Sequence, residues 1–83
     1  MNETARPFTE DDLNVLRTAA VSILAHREAM PGDTALRRFH RERMLSDAEV
    51  WLTAAENPST WEAMEEEMFA REREIMRRHD VTP

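Results

Sequence analysis

The sequence predicts an all-α protein, a small bundle of three helical segments running up, down and up. Three observations carry that expectation. One Gly stands in 83 residues, amid abundant Ala, Glu, Arg, Met and Leu, the residues helices favour. Apolar residues recur at spacings of three and four, and no strand-like alternation stands out. The strong breakers fall at Pro7, Pro31-Gly32 and Asn57-Pro58, and so mark out three long segments.

The first segment opens on Thr9, a capping residue with Asp12 at the third helical position, and Phe8 before the cap can staple onto Leu13. Glu10, Asp11 and Asp12 fill the first turn, where the helix dipole favours negative charge. Leu13, Leu16, Ala20, Ile23, Leu24 and Arg27 then form one stripe, flanked by Ala19 and Met30. Pro31 disfavours helical geometry in the residue before it, so the helix is expected over about 10–30.

Asp33 or Thr34 starts the second segment. Its first stripe holds Leu36, Phe39, His40 and Arg43; after Leu45 the apolar face shifts to Met44, Ala48, Trp51 and Ala55. Ser46 and Glu49 make a capping box at the change, and Leu45 can staple to Val50. The expectation is a break near Leu45-Ser46, giving helices over about 34–45 and 47–56. In the third segment Ser59 is the expected cap, with a helix over about 60–79. Trp61, Met64, Met68, Phe69, Ile75 and Met76 make its stripe, early acids and late arginines follow the dipole, and Glu67–Arg71 and Glu74–Arg78 are spaced for ion pairs. A single domain over 9–79 is thus expected between short tails at 1–8 and 80–83.

The core is thin on paper. Leu, Ile, Val and Phe make up 15 of 83 residues, and the net charge is -6. An aliphatic share this low, with such charge, leans towards disorder unless a core is completed against a partner. Without Cys there is no disulfide frame, thiolate metal site or cysteine nucleophile. The acidic start, MNETARPFTEDD, lacks an apolar signal region, and no apolar run is long enough to span a bilayer; a cytoplasmic protein without membrane contact is the expectation.

Chemistry-bearing patterns are few. None of His26, His40 and His79 follows a Glu by three residues, so a di-iron bundle motif is missing. Glu65 and Glu72 interrupt the Trp61–Met68–Ile75 stripe, and a carboxylate there needs a partner. Arg27 and Arg43 are the matching intrusions on the other helices, which points to Arg–Glu pairing within or between chains. No metal, cofactor or catalytic set is expected.

Charge is divided unevenly: residues 34–46 carry four Arg and one acid, residues 47–70 seven acids and no Arg. Arg37, Arg38 and Arg41 would lie on the outer face of their helix. A helix-turn-helix reading fails in detail, because Asp47 to Glu56 would be the recognition helix and carries no basic side chain. The sequence therefore predicts a non-enzymatic interaction protein of accessory, inhibitor or assembly-factor type, self-associating or binding another protein. The alternative is a nucleic-acid-associated regulator using the Arg37–Arg43 patch. The interface residues expected are Arg37, Arg38, Arg41, Trp61, Met64, Glu65, Met68 and Glu72, the methionines offering the adaptable surface common at docking sites.

Overall fold

The structure is a computed structural model and describes residues 6–80. The expected fold class holds: three helices, α1 (Glu10–Ala25), α2 (Ala35–Glu56) and α3 (Trp61–Arg78), with no strand element among the described residues. The helix α2 is central, with α1 along one side and α3 along the other. The result is a flattened layer of 43 × 28 × 13 Å. Its radius of gyration, 14.1 Å, exceeds the roughly 12 Å of a compact globule of this length.

The α1 start is as expected. Thr9 Oγ1 accepts from the Asp12 N–H, and Asp12 Oδ2 accepts from the Thr9 N–H, closing a capping box. Thr9→Ala should cost about 1 kcal/mol, within the usual range of roughly 0.5–2, read as a lower midpoint in urea; an unchanged midpoint would deny the box any role. The end of α1 differs from the expectation. The helix stops at Ala25 rather than near Met30, and a short 3-10 turn, Arg27–Ala29, follows. Its last turn holds no basic side chain to favour extension; instead the His26 ring Nδ1 lies 2.8 Å from the Ser22 carbonyl. Met30 is extended, as a residue before Pro must be. Gly32 has no positive φ, so no left-handed turn is used there.

The expected break at Leu45-Ser46 is overturned. Thr34 caps a single α2 of 22 residues that runs straight through Ser46. The apolar face shifts because α2 has a neighbour on each side, so two rows of apolar residues serve two contacts on one unbroken helix. The cap of α3 is also corrected: Thr60, not Ser59, accepts from the Ala63 N–H.

Part of the expected N-terminal tail is docked. The Arg6 carbonyl accepts from the Trp61 N–H at 2.9 Å. The Arg6 N–H and Nε each donate to Glu62 at 2.7 Å. The Phe8 ring lies on Trp61, centroids 4.9 Å apart. This pairing satisfies one of the orphan donors at the start of α3. Residues 1–5 and 81–83 of the expected tails lie outside the described residues.

The core is small. Leu16, Val50, Ala54, Ala55 and Met64 form a buried cluster, with Phe8, Trp51, Trp61 and Met68 packed around it. Ala20, Ala48 and Ile75 are also buried, so half of the eight buried side chains among the described residues are alanines. At the far end of α2, Arg17 of α1 donates to the Ala55 carbonyl at 3.3 Å. That guanidinium supplies the positive charge that the last turn of α2 lacks.

Candidate protein-interaction site

Because α1 and α3 flank α2 in a flat layer, they leave a groove between them. Val15, Leu16 and Ala19 of α1 form one wall, Trp51 of α2 the floor, and Trp61, Met64, Glu65, Met68 and Phe69 of α3 the other wall. The groove holds about 360 Å³ and is open to solvent. Both tryptophans of the chain stand in it. On its rim Val15 is 67% exposed and Phe69 46%. Large apolar side chains thus gather at an open surface, while half of the buried side chains among the described residues are alanines.

Four expected interface residues, Trp61, Met64, Glu65 and Met68, come together in this groove. Met64 is buried in its base, Trp61, Glu65 and Met68 half-buried. Glu65 lies 3.7 Å from Arg6 Nη2. Val15, Leu16, Ala19 and Trp51 were not foreseen as site residues. A signal for the α1 wall was present: between Asp12 and Arg27 the only charged residue is Arg17, in a chain that is 34% charged.

Glu72 is not part of the groove. Its side chain is 12% exposed and meets Arg43 Nε at 3.3 Å, an Arg–Glu pair of the kind the stripe intrusions implied. Arg27 has no such pair with Glu65, whose cation is Arg6. Beside Glu72, the Asp47 Oδ1 is sealed from solvent with no partner among the hydrogen bonds of the described residues. Burial pushes the Asp47 carboxyl up to about 7; the neighbouring Glu72 carboxylate adds to this, against the pull of Arg43.

Lower on the same seam, Glu42 of α2 pairs with His79 and Arg78 at the end of α3. His79 first, then Arg78, holds the Glu42 carboxyl below its usual range. The Phe39 ring stands edge-on to His79 at 5.6 Å. Arg78 is therefore not Glu74's partner as expected; Arg77 takes that place, and Glu67–Arg71 forms as expected at 2.8 Å.

The three arginines of the basic patch sit at the opposite end of α2 from the groove. Arg37 is held by Asp33 at 2.8 Å. Arg38 Nη1 donates to the Gly32 carbonyl at 3.2 Å. Arg41 is half-buried, its Nη1 close to Gly32. They wrap the α1–α2 connection. Leu36, one residue before Arg37, is 75% exposed.

Comparison with family models, curated proteins and solved structures returns no match. Among the described residues, no three His, Asp or Glu side chains gather as a metal site would need. No described helix is long and apolar enough to cross a membrane.

Proposed function

We propose that this chain is a non-enzymatic helical interaction module that holds a protein against the groove between α1 and α3. One observation carries the reading. The apolar groove keeps Val15, Trp51, Trp61, Met68 and Phe69 at an open surface, while half of the buried side chains among the described residues are alanines. Contiguous exposed apolar surface of this kind marks interaction sites, and aromatic and Met side chains are enriched at them. An accessory, inhibitor or assembly role would need no more chemistry than this surface supplies.

Site-specific photo-crosslinking tests the reading. A photoreactive residue at Val15 or Phe69 is expected to form an adduct with protein, whether a second copy or another chain. The same probe at Glu56, exposed at the end of α2 and outside the groove lining, is expected to form none. Equal yields from all three positions, or adducts from none, would overturn the module reading.

A further inference from the structure

We infer that the groove's occupant is a second copy of this chain, entering with the Leu36 end of its α2. This rests on the groove being a protein-binding surface and adds what fills it. Leu36 is the most exposed of the large apolar side chains among the described residues, at 75%. It stands in the first turn of α2 beside Arg37 and near His40. Trp51, the groove's floor, is on the same helix. Fifteen residues separate the two, about 22 Å of rise and about 4.2 turns, so they lie within about 60° of one another around α2. A knob and a hole thus share one side of the central helix at a fixed spacing.

Charge selects the orientation. The Leu36 end belongs to a stretch, 34–46, with four Arg and one acid; the charged side chain lining the groove is Glu65, beside Arg6. Two copies whose α2 helices cross antiparallel about a two-fold axis near Met44 place Leu36 of each over Trp51 of the other. Arg37 of each then meets Glu65 on the groove wall, and both knobs and both holes are used, as an isologous interface requires. A parallel arrangement would set like charges opposite one another. The broad 43 × 28 Å face exceeds the roughly 800 Å² per partner of a standard interface.

Sedimentation velocity over a concentration series, with tryptophan emission read on the same samples, tests the assignment. The wild-type chain is expected to pass from one to two copies of 9.7 kDa, with emission shifting to the blue because both tryptophans line the groove. Leu36→Asp should weaken the dimer by at least about tenfold, since each substitution counts twice across the axis. An acid in a first helical turn is favoured by the dipole, so the fold survives it. Arg37→Glu and Glu65→Arg should each weaken the dimer by several-fold, and the double variant should restore it. A wild-type chain that stays monomeric overturns the assignment. So does a dimer indifferent to Leu36→Asp, or a charge swap without rescue. In those cases crosslinks from Val15 to protein, whether a differently arranged second copy or a chain of another mass, would leave the module reading standing; the absence of any adduct would end both.

Discussion

Leu16→Ala is expected to leave the chain largely unfolded at 25 °C. Leu16 is 6% exposed and joins the buried cluster with Val50, Ala54, Ala55 and Met64. Truncating a buried Leu costs about 2–5 kcal/mol, the upper part of that range applying where neighbours cannot close the gap. Here two of the neighbours are alanines, which have no side chain to swing in. A single core in a domain of this size supplies little more than about 3–5 kcal/mol in total. The same change at Val15, on the groove rim, removes little buried area and should move stability by under about 0.5 kcal/mol. Urea unfolding followed by circular dichroism separates the two. A cooperative transition for Leu16→Ala within 1 kcal/mol of wild type would show that the cluster is not the source of stability.

Asp47→Asn is expected to raise the melting temperature at pH 8 and to flatten its pH dependence. The sign follows from proton binding. Between about pH 4 and 7 the folded chain keeps a proton on Asp47 that the unfolded chain has released, so stability falls as pH rises through this window. A shift from 3.8 to about 7 corresponds at most to about 4 kcal/mol. Partial solvent access and the screening by Arg43 reduce that to about 1–2 kcal/mol. Asp12, Glu42, Glu62 and Glu74 work the other way, because each is held below its usual range by a hydrogen bond or an arginine. Their contribution is present above about pH 4 and lost in acid. Stability should therefore peak near about pH 4–5 and decline from there to about pH 7. Thermal melts from pH 4 to 9 check this. A wild-type profile that is flat from 6 to 8, or an Asn variant that melts lower than wild type at pH 8, would contradict the buried proton.

Local chemistry was legible in the sequence; the partners of each face were not. The Thr9 capping box could be read, and the start of α2 narrowed to Asp33 or Thr34, because the capped donors lie within three residues. The false break at Ser46 arose from the same signals: a capping box and an apolar shift coincided on a helix whose shift was caused by two neighbours. Nothing within ten residues of Ser46 reveals that α2 is central. Thr60 displaced Ser59 as cap for a similar reason, since the next N–H, that of Trp61, goes to Arg6, 55 positions earlier. At the site, the α3 wall was readable as a Met and aromatic stripe. The α1 wall was not read, because Val15 lies off the apolar stripe that packs on α2. Its trace was a stretch without charge rather than a motif.

A central helix flanked on both sides also governs how the molecule opens. Freeing α1 breaks one seam, and freeing α3 breaks the other, but freeing α2 breaks both. Either outer helix can therefore peel away while the remaining pair stays joined, and sub-global openings of this kind cost less than global unfolding. Amide hydrogens around Ala48–Ala55, where α2 is buried against both neighbours, can exchange only in the rarest of these states. The groove walls belong to the two helices that peel first. A protein seated between them would tie the outer helices together and slow exchange along all three.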